Sequence, residues 1–101
     1  MIKMIAIYQT PEDAEAFLTH YRDVHVPLVK KVPGLLRAEV TKINRTMIGD
    51  NAPFLIAEMY FADKESFSAA MKSPENAAAG QDLMTFAKGR VTLVQGEILD
   101  A

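Results

Sequence analysis

Apolar and polar positions along the chain alternate between two periods. The first apolar run, Ile2 to Gln9, is rich in β-formers and stops at Thr10-Pro11, which predicts a strand. Thr10 followed by Pro11, Glu12 and Asp13 predicts a helix start: a hydroxyl cap, proline in the first position, then acids on the positive dipole end. Phe17, Tyr21, Val24 and Leu28 then recur at helical spacing through Val32. A kink is expected where Pro27 removes an amide donor, and Pro33-Gly34 ends the segment. Leu35 to Ile43 alternates, with Leu36, Ala38 and Val40 on one face and Arg37, Glu39 and Thr41 on the other, as a strand between two environments does. Arg45 to Pro53, holding Gly49-Asp50-Asn51, reads as the loop of a hairpin. Phe54 to Phe61 is a nearly all-apolar third strand. Asp63 and Ser73-Pro74 are caps for a helical region that ends near Lys88, with Leu83 and Phe86 inward. Gly80, which costs about 1 kcal/mol against alanine in a helix, marks a potential break there. Gly89 is a stop signal, and Arg90 to Leu99 is the last strand. The order β-α-β-β-α-β predicts an α+β, ferredoxin-like fold: a four-stranded antiparallel sheet with its helices on one face and right-handed crossovers.

Helices on one face leave the other face of the sheet open. Yet Phe54, Leu55, Ile56, Ala57, Met59, Tyr60 and Phe61 supply large side chains to both sides of the third strand. The last strand places Val91 and Leu93 on one face and Val94 and Ile98 on the other. A sheet wetted on one side should alternate apolar and polar, and these strands do not. A second copy packed on the face carrying Phe54, Ile56 and Tyr60 is the simplest cover, so a homodimer is expected. Arg37 is expected near Glu58 on that face, as an ion pair.

At 101 residues the chain is expected to be a single domain spanning 1–101, with a modest core of its own. Half of the residues are hydrophobic and 24% are charged, which excludes disorder. A formal net charge of −2 offers no basic excess for phosphates or anionic lipid, so neither nucleic acid nor membrane is an expected partner. Without cysteine there is no disulfide framework, no thiolate nucleophile and no Cys-based metal site. The opening apolar run is too short for a signal peptide or a bilayer span, which makes the cytoplasm the default location and the Asn44-Arg45-Thr46 sequon a coincidence.

The candidate chemistry is sparse. His20 and His25 are five apart, whereas a helical metal site needs the i, i+4 spacing, so no metal is expected. His25 falls on the inner side of its helix, beside the Pro27 kink, and His20 on the outer side near Arg22-Asp23. An inward histidine is either a satisfied core group or an acid/base, and its ordinary pKa of about 6.5 suits the second role near neutral pH. Tyr21, one turn earlier, could share its pocket. Tyr8 has the strand parity of Met4 and Ala6 and is placed toward the helices. Asp82, next to the inward Leu83, is either a surface carboxylate or the group that orients an imidazole. No Gly-rich phosphate loop, nucleophile elbow or carboxylate pair is present, so no bound cofactor is expected.

Tyr21-Arg22-Asp23-Val24-His25-Val26-Pro27-Leu28 and the following Val32-Pro33-Gly34-Leu35 resemble the EthD family of the dimeric α/β-barrel superfamily. Ser73-Pro74-Glu75 and Asp82-Leu83-Met84-Thr85-Phe86-Ala87 fit the same pattern, and the resemblance covers nearly the whole chain. It implies two ferredoxin-like subunits closing into a barrel, with a ligand cavity between each sheet and its own helices. The family takes its name from ethyl tert-butyl ether degradation, where a member accompanies a cytochrome P450 system. More distant relatives include cofactor-free monooxygenases, lactone isomerases, polyketide cyclases and haem-degrading enzymes, so the fold does not choose a reaction. The resemblance matches His25 to the family's histidine and turns the odd-numbered face of the third strand toward the helices. His25 and Tyr21 are then the candidate catalytic residues. Tyr8, Met4, Ala6, Leu55, Ala57, Met59, Phe61 and Asp82 are candidates to line or approach the cavity. The expected function is binding or cofactor-independent transformation of a small apolar or aromatic metabolite, with oxidoreductase, isomerase and cyclase chemistry all open. The rival is a non-catalytic binding or accessory protein of an oxygenase system.

Overall fold

The computed structural model describes residues 1–100. The elements run β1 (Ile2–Tyr8), α1 (Ala14–His20), a π-helical turn (Tyr21–His25), α2 (Val26–Val29), β2 (Arg37–Lys42), β3 (Leu55–Phe61), α3 (Lys64–Met71), α4 (Pro74–Phe86) and β4 (Val91–Glu97). The strands form one antiparallel sheet in the order β2-β3-β1-β4. This is the ferredoxin-like fold.

Register decides which side chains meet the helices. Met4 pairs with Met59, Ala6 with Ala57 and Tyr8 with Leu55. The even positions of β1 and the odd positions of β3 therefore share one face, because side chains alternate along a strand. Ala6, Tyr8, Leu55, Ala57, Met59 and Phe61 are all buried there, packed with Phe17, Tyr21, Ala70 and Leu83 from the helical layer. The helices cover the two central strands. Every residue of the edge strand β2 is exposed, and Leu93 on the helix side of β4 is 49% exposed. Pairing bonds extend β2 by a residue at each end, from the Leu36 amide to the Tyr60 carbonyl and from the Ile43 amide to the Phe54 carbonyl.

Two helix caps fall where the caps Asp63 and Ser73 are expected: their side chains accept the amides of Ser66 and Asn76 at 2.8 and 3.1 Å. The first helix differs. Asp13, not Thr10, is its cap, accepting the Ala16 amide at 3.0 Å, and the Thr10 carbonyl is bound instead by the Arg90 guanidinium at 2.8 Å. A carboxylate both caps and opposes the dipole, which favours Asp13 over the hydroxyl. Nor does α4 break at Gly80, since buried Ala79 and Leu83 hold it to the layer below.

The outer face of the sheet is more polar than expected. Phe54 lies just before β3 and turns to the helix side, its ring 5.9 Å edge-on from Phe17. Tyr60 is already covered within the chain: the Arg37 guanidinium stacks over its ring at 4.3 Å, and its hydroxyl donates to Glu39 at 3.3 Å. Lys3, diagonal to Glu58 across the β1–β3 pair, is its partner rather than Arg37, which reaches Glu39 at 3.3 Å. Ile5, Ile7 and Ile56 remain half-buried, and Val94 is exposed.

An added Cβ at Gly80 would meet no atom within 4 Å. Gly80→Ala should therefore raise the unfolding free energy by about 0.5–1 kcal/mol, through helix propensity alone, in chemical denaturation. A destabilised variant would show that α4 needs the bare backbone.

Candidate functional site

The site begins with a backbone irregularity. Pro27 has no amide hydrogen, and its ring clashes with the carbonyl one α-turn earlier. Just before it the helix widens: the Val26 amide bonds to the carbonyl of Tyr21 in an i→i−5 step, passing over Arg22. One residue is thereby absorbed into the turn. The buried positions run Phe17, Tyr21, His25 and then, one step later than a regular helix gives, partly buried Val29 on the core. Val24, an inward position at regular helical spacing, is 42% exposed.

The widened turn also brings the histidines together. Residues five apart diverge on an α-helix, but here His20 and His25 reach opposite oxygens of one carboxylate, Asp82 of α4. His20 Nε2 lies 2.8 Å from Asp82 Oδ1, and His25 Nδ1 lies 3.0 Å from Asp82 Oδ2. His20 thus faces α4, not Arg22-Asp23, and Asp82 is the orienting group rather than a surface carboxylate, its side chain only 13% exposed. An ionised carboxylate only accepts, so both ring nitrogens donate to it. Among the described residues, no group of three or more His, Asp or Glu side chains is arranged to hold a metal ion.

His25 is 5% exposed, and burial is the main reason its imidazole titrates below the ordinary 6.5, outweighing the opposing effect of its hydrogen bond to Asp82. At neutral pH it is therefore neutral, with the proton on Nδ1 and a lone pair on Nε2. Among the described residues no side chain binds Nε2 and no buried side-chain nitrogen or oxygen lacks a partner, so Nε2 opens to the adjacent space. That space is a cavity of about 130 Å³ between the sheet and the helices, bordered by His25, Tyr21 and Tyr8. Burial pushes the Tyr21 phenol up to about 12, and burial followed by the neighbouring Tyr21 pushes Tyr8 higher still. Both remain protonated on the wall that His25 shares.

Met4, Ala6, Ala57, Met59 and Phe61 line the same cavity from the sheet. Two expected residues do not. Leu55 pairs with Tyr8 at the end of the sheet filled by Tyr8, Phe17, Tyr21 and Phe86, whose rings pack 5.2–6.4 Å apart, so it is sealed beneath that cluster. Asp82 stands behind His25, outside the cavity wall. Val29, Met71, Asn76, Ala79, Gly80 and Leu83 add to the wall from the helices, Val32 and Leu35 from the turn after α2 and Leu93 from β4, and none was an expected member. The advance of the inner face by one residue accounts for Val29. The Ser73 cap, which sets the orientation of Asn76, is the signal that could have placed that residue.

The model of the EthD domain matches residues 9–90, and the chain belongs to that family. A solved ethyl tert-butyl ether degradation (EthD) family protein from Bacillus halodurans is 43% identical, with 98% of this chain and 99% of that one covered and a TM-score of 0.92. An uncharacterized 11.0 kDa protein from the thcB-thcC intergenic region of Rhodococcus erythropolis is 33% identical, over 93% of this chain and 91% of its own. At 10% identity the likeness extends to SnoaB, a cofactor-independent oxygenase of Streptomyces nogalater (TM-score 0.71, 99% and 94% covered). At 16% it reaches a dimeric ferredoxin-like protein of unknown function from Jannaschia (TM-score 0.69, 96% and 98% covered). These two speak for the fold alone.

The state of His25 sets a pH dependence. The unfolded chain protonates His25 near 6.5, the folded chain only at lower pH. Between those values the unfolded state binds more protons, so stability falls as pH drops through the window and the contribution levels off below it. His25→Asn keeps a donor for Asp82 but has nothing to titrate. Denaturation at about pH 7 and about pH 5.5 should show a smaller loss for the variant than for the wild type. Equal losses would contradict a depressed His25.

Proposed function

We propose that this EthD-family protein binds a small, mostly apolar molecule and moves a proton on it. His25 Nε2 acts as the base, and the Tyr21 and Tyr8 hydroxyls steady the negative charge that develops. One observation carries the reading: buried His25, its Nδ1 3.0 Å from the Asp82 carboxylate, borders an apolar cavity, and burial lowers its pKa. A group of that kind does acid–base work near neutral pH without a cofactor. The size of the cavity supports a ligand on the scale of a single aromatic ring, since an apolar cavity of about 150 Å³ accommodates benzene. Met4, Met59 and Met71 offer polarizable thioethers to the faces and edges of such a ring. Membership of a family tied to ether degradation, and likeness to a cofactor-independent oxygenase, fit small-molecule metabolism.

Phenol should raise the melting temperature of the protein, and cyclohexylmethanol, bulkier and not planar, should raise it less. For a metabolite recovered by native mass spectrometry, His25→Asn should bind within about threefold of wild type and lose roughly 100-fold or more in turnover. A variant that turns the metabolite over at the wild-type rate would remove His25 from the chemistry. A wild type that binds without turnover would return the protein to the binding or accessory class.

A second copy is the proposed cover for the outer face of the sheet, where Ile5, Ile7 and Ile56 are half-buried and Val94 is 42% exposed. The ring of charges around Tyr60 borders this strip and would set the register of the two sheets. Sedimentation at about 10 μM should show a dimer for the wild type and a monomer for Ile56→Asp, because an unpaired buried charge is costly. A wild-type monomer across the micromolar range would exclude this cover.

A further inference from the structure

We propose that His20 is a positioning residue for the base: by holding one oxygen of Asp82 it keeps the other on His25 Nδ1, and so keeps the His25 lone pair directed into the cavity. The proposal rests on the reading of His25 as a base.

His20 does not border the cavity, and its hydrogen-bonded path to His25 runs through Asp82. Its ring packs against Phe86 with centroids 4.7 Å apart, and its side chain is 32% exposed. It therefore stands at the boundary between solvent and the buried pair. Asp82 projects from α4 on a short side chain with free rotation about its last bond. With His25 as its only donor, the carboxylate could turn an oxygen to water and leave Nδ1 without a partner. A donor on each oxygen removes that freedom: turning toward either side breaks a hydrogen bond of 2.8 or 3.0 Å. Fixing the ring by an acceptor at one nitrogen also fixes the tautomer at the other.

The charges around the trio fit this division. His25 is faced by Tyr21 from its own turn, by Asp82 from α4 and, farther off, by Tyr8 from β1. The two tyrosines, raised by burial, stay protonated beside it. His20 is faced by Asp82 and opens onto surface depressions that hold Asp13, Glu15 and Asp23 on one side and Glu12 and Arg90 on the other. A proton taken up by His20 places its charge on the solvent side of Asp82, where it opposes protonation of His25.

The test needs no substrate. In ligand-free, 15N-labelled protein, long-range proton–nitrogen correlation reports the His25 tautomer, and the exchange rate of the Nδ1 hydrogen reports its bond to Asp82. His20→Phe keeps a ring on Phe86 and removes the donor; His20→Gln places an amide donor near the position of Nε2. Wild type and His20→Gln should both show a single Nδ1-protonated tautomer. His20→Phe should show mixed tautomers and Nδ1 exchange at least about tenfold faster. If His20→Phe does not fold, His20→Ala takes its place with the same expectation. Wild-type tautomer and exchange in the donor-less variant would overturn the proposal, as would a His20→Gln no better than His20→Phe. Both readouts precede any chemistry, so they stand whether or not His25 proves to be a base in turnover.

Discussion

Proline at position 27 cannot donate to the helix in which it sits, and the backbone before it gives way by widening into a single π-turn. Much of the site follows from that concession. The extra residue in the turn rotates everything after Tyr21, so that His25 replaces Val24 on the inner face and Val29 follows it. The same widening lets His20 and His25 reach a common carboxylate from positions that a regular helix would set apart. A π-turn forgoes regular hydrogen bonding, and the aromatic packing of Tyr21 and His25 against Phe86, at 6.0 and 5.0 Å, supplies the contacts that hold it.

Within this frame the chemistry of His25 is a contest between burial and a nearby anion. Desolvation disfavours imidazolium; the Asp82 carboxylate favours it. Burial wins, and the outcome is a neutral ring with a fixed tautomer rather than a buried ion pair. The tyrosines respond to the same burial in the opposite sense, staying protonated as donors. One apolar cavity is thus bordered by an imidazole and two protonated phenols, without a formal charge among its lining side chains. Small Ala6 and Ala57, paired across the central strands, leave room above the sheet that branched side chains would fill.

The fold was legible from the sequence because its signals are local and redundant. Alternation in β1 and β3 settled which face each residue takes once their pairing was known, and Asp63 and Ser73 announced their helices by cap chemistry. The site was legible only in part. His25, Tyr21 and Tyr8 could be brought together by periodicity, since Tyr21 and His25 are four apart and the π-turn lies between them without separating them. What lay after the turn could not, because a regular period places Leu28 where the structure places Val29. Asp82 was open as the group that orients an imidazole, but the part of His20 was obscured for the same reason: its spacing from His25 argues against a shared partner on any α-helix. Phe54 shows a different limit, where strand parity was carried one residue past the strand's end.

Neutron diffraction from deuterium-exchanged crystals at neutral pH is the most direct measurement of the central claim, that His25 is a neutral base held by Asp82. Deuterium is expected on His25 Nδ1, directed at Asp82, with none on Nε2. Deuterium on Nε2, alone or together with Nδ1, would leave no lone pair facing the cavity and would contradict it.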